Sequence, residues 1–395
     1  MKFTKKVLSN GLVVLFEKRD VPVTTVMLAT KYGSEFELAE EKGVAHFIEH
    51  MAFKGTKKRS TREIAFELES VGGILNAHTA EEQTAFHVKL PSQHLNIAMD
   101  VIFDIFFNAE FPEEEVKKEG NVICEEIKMY NDSPQRYVLE KIKECLYKTP
   151  FGMFAAGTEE TVRGLTREDL IKRHREVYCP ENSILAVVGD NDFEEILELA
   201  EKYSEARVLG KKTVFNIEKQ IIRKKETRAG VEQANLAIGF HIPYTGREKY
   251  AAQVFSSILG GGMSSKLFTE VREKRGLAYA VKCDVDLAKN YGYLLIYIGT
   301  DKEKVDEVIK ICIEEFRKME SISEKELADG KMQVIGNYDV SCEDSENVAL
   351  NLISEEIEEC AEDYYKFEEN INKVTLDEIK ELSKIRDYAY FALVP

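Results

Sequence analysis

In the segment 41–53, EKGVAHFIEHMAF, two histidines and a glutamate stand in the order His46-x-x-Glu49-His50. In a helix His46 and His50 fall one turn apart on the same face, so both imidazoles can grip one metal ion with the Glu49 carboxylate beside them. The order is the inverse of H-E-x-x-H, and the mechanical logic is the same. Zinc lowers the pKa of a bound water to about 7, and a nearby carboxylate takes its proton. Three fixed positions also suit two ordinary helical histidines, so the motif alone leaves both readings open. A catalytic zinc needs a third protein ligand and an open position.

The run 112–130, PEEEVKKEGNVICEEIKMY, opens with Pro112 and three acids, the composition of a helix N-terminus. Glu119 and Glu126 are seven residues apart, so at about 100° per residue they point within roughly 20° of each other. Val122 and Ile123 are expected on that same side, which places both carboxylates beside apolar residues facing inward. Glu125 is turned about 120° away from Glu119, toward solvent. Helix facing therefore selects Glu126 over its neighbour as the candidate third ligand, with Glu119 supporting the site. A solvated acidic helix explains Glu113–Glu115 and Glu125 well. It explains two acids on an apolar stripe badly, because burying an unpaired carboxylate is costly.

The elements that must carry these groups recur. Apolar, β-branched runs at 12–18 and 24–31, bounded by Asn10-Gly11 and Gly33, read as strands, and 220–223 and 234–241 occupy the same place in the second half. Helices are expected at 43–53 and 250–259. Glycine turns at 71–73 and 275–276 lead into strand pairs, 74–79 with 84–90 and 277–285 with 291–299. Helices at 93–108 and 301–319 follow, the latter with apolar residues at helical spacing. The order repeats at an offset of roughly 200 residues, which suggests an internal duplication. A charged, weakly patterned segment, 205–219, separates the halves.

Bulk properties narrow the partners. The net charge of −17, from 71 acidic and 54 basic side chains, disfavours phosphate backbones, so nucleic acid is not an expected partner. Cys124, Cys145, Cys179, Cys283, Cys312, Cys342 and Cys360 are odd in number, scattered and free of C-x-x-C, which suits reduced thiols in the cytoplasm. The apolar run 12–16 is too short for a signal-peptide core, and no stretch of about 18 apolar residues suggests a membrane span. Gly260-Gly261-Gly262 lacks the G-K-[ST] ending of a phosphate-binding loop and reads as a turn.

Three separated blocks in order resemble the pitrilysin, insulysin and mitochondrial-processing-peptidase family of inverted-motif zinc peptidases. They are GVAHFIEHMAFKGT at 43–56, EGNVICEEIKMYNDSP at 119–134 and GGGMSSKLFTEVREKRGLAYAV at 260–281. The chain looks like the short, two-domain members. The resemblance implies an α+β fold of two homologous domains, 1–210 and 211–395, each an antiparallel-rich sheet packed with helices. It implies one zinc per chain on His46, His50 and Glu126, with Glu49 as base and Glu119 supporting the metal. Arg272 and Tyr279 match the arginine and tyrosine that the family sets opposite the zinc to hold substrate and the tetrahedral intermediate. Without the family, Arg272 in EVREKRG reads as a solvated helix arginine. Asn76 and Ala77 in ILNAHT match the sheet edge where the family adds a peptide strand, and His78 is then a strand histidine beside substrate. Lys266 stands where relatives often carry arginine.

The expected activity is hydrolysis of peptides or small unfolded segments inside a homodimeric chamber. A heterodimer with a catalytically empty paralogue keeps the same chemistry. A purely structural subunit would tend to lose metal ligands or the base, and all four positions are present here. A metal-storage or sensing protein would need neither Glu49 nor a substrate clamp.

Overall fold

The structure, a computed structural model, describes residues 2–204, 207–210 and 216–395. Positions 205, 206 and 211–215 of the expected junction segment lie outside the described residues. Strands β1 (Lys2–Val7), β2 (Val13–Lys18), β3 (Val23–Thr30), β4 (Ile74–Thr79), β5 (Thr84–Pro91) and β6 (Ser183–Gly189) form one sheet in the order β1-β2-β6-β3-β5-β4. Strands β7 (Arg223–Thr227), β8 (Ala234–His241), β9 (Ala278–Leu287), β10 (Gly292–Thr300) and β11 (Ala389–Val394) form the other, β7-β11-β8-β10-β9. With β1 set aside, the two orders are the same. The first strand of each half lies parallel to its last, and every other neighbouring pair is antiparallel. The fold is α+β with a repeated sheet topology.

Helices α1 (Val44–Ala52) and α2 (Thr61–Glu69) connect β3 to β4, and α3 (Leu95–Asn108), α4 (Glu113–Asp132) and α5 (Pro134–Leu146) follow β5. In the second half the helices Val305–Lys318, Glu324–Ser341 and Ser345–Glu358 follow β10. The chain divides into two compact units: Met1–Lys128, Phe154–Asn216 and Ser341–Tyr364 form one, and Met129–Met153, Ile217–Val340 and Tyr365–Pro395 the other. Uninterrupted domains 1–210 and 211–395 therefore do not describe the packing. The cause is a reciprocal exchange, between the halves, of the third helix that follows the strand pair β4–β5 or β9–β10. Helix α5 covers β8 and β11 with Val138, Ile142 and Leu146, while Ser345–Glu358 covers β3 and β6 with Val348, Ala349 and Leu352.

One further expectation moves. The second half was expected to open with a strand at 220–223, but the strand is Arg223–Thr227. The residues before it bond instead to the end of α5: the Gln220 amide donates to Leu146 O at 2.8 Å and the Ile222 amide to Cys145 O at 3.0 Å. All seven cysteines are outside disulfides, and five are buried. Among the described residues, no helix is long and apolar enough to cross a membrane.

Candidate metal centre

Helix α1 is short, and its start is built by two features. Gly43 sits in the left-handed region at φ +98°, where a side chain is strained and a Cβ would lie 2.5 Å from Ala156 O. The buried Glu37 carboxylate then accepts from the Gly43 and Ala45 amides at 3.1 and 2.7 Å, satisfying two orphan donors at the positive end of the helix. Burial pushes Glu37 up to about 6 despite Lys42 beside it at 3.6 Å. Phe47, Ile48 and Met51 anchor the opposite face of α1 in the core.

His46 and His50 stand one turn apart with ring centroids 4.7 Å from each other. Glu126, from α4, directs Oε2 to within 3.8 Å of His46 Nε2 and 3.5 Å of His50 Nε2. One ligand atom from each of the three residues lies within 4.8 Å of the others. Zinc at 2.0–2.2 Å from N and O ligands implies a tetrahedral edge of about 3.4 Å, so two nitrogens and an oxygen at these separations fit one such ion. His50 Nδ1 meets Glu119 Oε2 at 3.1 Å, and Lys54 Nζ holds Glu119 Oε1 at 2.7 Å. The carboxylate orients one ring from behind, as outer partners of metal-binding histidines do. His46 Nδ1, by contrast, is buried without a hydrogen-bond partner among the described residues. Glu49 is buried beside the pair, and Thr79 Oγ1 donates to its Oε2 at 2.5 Å. Burial raises the Glu49 carboxyl above its ordinary range. Glu125 faces solvent and pairs with Lys128 at 2.8 Å.

Val122 corrects the helix facing: it is exposed, while Ile123 is fully buried. Residues absent from the sequence reading also appear. Lys54 continues the i, i+4 row of His46 and His50, a spacing that could have flagged it. Thr79 and Glu37 reach the site through the fold, with no local signal.

Strand β4 is the sheet edge next to α1. Alternation turns Thr79 toward Glu49 and His78 to the other face, where its ring lies 6.4 Å from that of His87. Burial pushes His78 down to about 4. It is no fourth ligand. Asn76 is exposed on this edge, and its Oδ1 accepts from the Ala77 amide at 2.9 Å. In the second unit, Arg272 lies on a π-helical turn with its guanidinium 4.8 Å from the Phe268 ring centre. Tyr279 is 45% exposed at the start of β9, shares a hydrogen bond with Tyr297, and lies against Gly299. Lys266 pairs with Glu326.

Comparison with known proteins places this arrangement. Residues 12–159 match the description Insulinase (Peptidase family M16), and residues 164–334 match Peptidase M16 inactive domain. An uncharacterized zinc protease of Rickettsia bellii is 36% identical over 346 residues, 86% of this chain and 84% of that protein. The chain belongs to peptidase family M16. A second relative, an uncharacterized zinc protease of Bacillus subtilis, is 37% identical over 320 residues, 79% of this chain and 77% of its own. A crystal structure of a protease from Helicobacter pylori has the same fold, with a TM-score of 0.91 at 22% identity over 100% of this chain and 99% of that one. Within the M16 chain, His46, Glu49, His50, Glu119 and Glu126 fall in the first matched segment, and Arg272 and Tyr279 in the second.

The two imidazoles of this M16 site titrate apart. Burial and the neighbouring His50 push His46 down to about 4. Burial opposes charge on His50 too, but hydrogen bonds to Glu126 and Glu119 outweigh it and hold that ring above its ordinary value. Metal ligands must be deprotonated, so as pH falls a proton competes first at His50, the ring held above its ordinary value. Zinc affinity, measured against a chromophoric chelator, should fall about tenfold per pH unit between roughly pH 6.5 and 5, the slope of one proton. A two-proton slope there would contradict the assignment.

Proposed function

We propose that this M16 chain is a zinc metalloendopeptidase acting on peptides and small unfolded segments. The observation that carries the reading is the convergence of His46, His50 and Glu126 on one small volume with the Glu49 carboxylate beside it. A zinc ion held there would supply Lewis acidity to the scissile carbonyl and to an attacking water. Glu49 takes the proton of that water and returns it to the departing amine. Glu119, braced by Lys54, keeps the His50 ring in place. Edge strand β4 takes the substrate as an added strand, with the Ala77 amide released by Asn76 to bond the substrate main chain. Reading main chain rather than side chains suits broad specificity.

By family resemblance, Arg272 and Tyr279 hold the substrate backbone and the developing oxyanion, and two copies of the chain pair into a chamber, each bringing a zinc set and an Arg/Tyr pair. The isolated protein should carry about one zinc per chain and run as a dimer by native mass. It should hydrolyse a quenched peptide library, lose that activity to a chelator and recover it with zinc. Hydrolysis indifferent to chelation would remove the metal from the reaction.

A further inference from the structure

We propose that Thr79 is a positioning residue for Glu49, fixing the carboxylate that moves the proton by a bond from the strand that takes the substrate. The inference rests on the proposed function and deepens it. Thr79 is the last residue of β4 and Glu49 lies on α1, yet Thr79 Oγ1 and Glu49 Oε2 are 2.5 Å apart. That is the length of a charge-assisted O–H···O bond, stronger than a neutral one.

The bond settles two things that α1 leaves open. The last torsion of a glutamate side chain is broad, so the backbone of the helix does not orient the carboxylate plane. Thr79 can, because its own χ1 is restricted by β-branching and its backbone is held opposite Thr84 in the β4–β5 ladder. The threonine hydroxyl has a single proton, and it is committed to Oε2. Oε1 is then the atom left to accept a proton from water. A carboxylate free to rotate would present either oxygen at varying distance from the attacking water. Misplacement of a reacting group by about 1 Å can cost 10²-fold. Because the donor stands on the substrate edge, base and substrate are located by the same strand.

The alternative is that Thr79 only fills a β-branched place at the strand end. Thr79→Val keeps the shape and loses the donor, and Thr79→Ser keeps the donor and loses the methyl. Both are compared with wild type and Glu49→Gln in one assay that reads kcat, KM and zinc content. Thr79→Val should lower kcat about 10- to 100-fold, with KM within about twofold and zinc retained, and Thr79→Ser should recover most of the loss. Thr79→Val added to Glu49→Gln should slow the residual rate no further. Wild-type kcat in Thr79→Val, a loss confined to KM, loss of zinc, or a serine variant as impaired as the valine one overturns the positioning role. If wild type hydrolyses and Glu49→Gln does not, that failure is confined to Thr79; an inactive wild type overturns both readings.

Discussion

Glu49→Gln should retain its zinc and lose hydrolysis, with kcat down about 10³-fold or more, within the range that a positioned acid–base group supplies. The amide has the same shape and can still accept the Thr79 hydroxyl on its oxygen, so the site should stay assembled. It cannot take a proton from water at neutral pH. Stability should not suffer. Burial already disfavours the charged carboxyl, raising it above its ordinary range, so a neutral group in its place removes a cost rather than a support. Three measurements on one preparation separate the possibilities: metal content, thermal midpoint and the hydrolysis of a quenched peptide. Hydrolysis at the wild-type rate would take Glu49 out of the mechanism. Loss of zinc would make it part of the metal site instead.

The residues of this centre were legible in the sequence because each half of it is local. His46, Glu49 and His50 share one turn of α1, and Glu119 and Glu126 share one side of α4, so helical periodicity alone groups them. Where periodicity has a free sign, the reading slips. Val122 and Ile123 flank Glu119 by about 60° on one side and 40° on the other, and spacing does not say on which flank the core lies. The core lies on the Ile123 side, so Val122 is exposed. Glu126 falls on the Val122 flank, which is why its side chain is 27% exposed against 8% for Glu119. The carboxylate on the open flank is the one that meets both rings.

Contacts made by the fold left no trace in the sequence. Thr79 reaches Glu49 only because β4 packs along α1, and a threonine at a strand end is otherwise unremarked. The same holds for the exchanged helices. The buried stripes of α5 and of Ser345–Glu358 show that each helix must cover something apolar, and both sheets offer such a surface. Amphipathicity sets the face of a helix, not its partner, so uninterrupted domains were the natural expectation and interleaved units the outcome.

Glu119, Glu125 and Glu126 of α4 should respond to substitution by Gln in a graded order, with the largest loss at Glu126. Binding energies of roughly 10–16 kcal/mol for structural zinc, shared over its ligands, imply about 3–5 kcal/mol each, so Glu126→Gln should weaken zinc retention by 10²-fold or more. Among the described residues Glu119 touches the metal site through His50 Nδ1, and outer partners of this kind are worth about 10- to 100-fold in affinity. Glu119→Gln also strands Lys54, which is paired to it at 2.7 Å, so part of its effect should appear as lost stability. Glu125→Gln disturbs only a solvent-exposed pair with Lys128, of the kind that contributes little to stability, and should leave zinc untouched. Dialysis against a graded series of chelators reads all three on one scale. If Glu125→Gln released zinc while Glu126→Gln held it, α4 would present its other side to α1, and the metal centre drawn from His46, His50 and Glu126 would have the wrong third ligand.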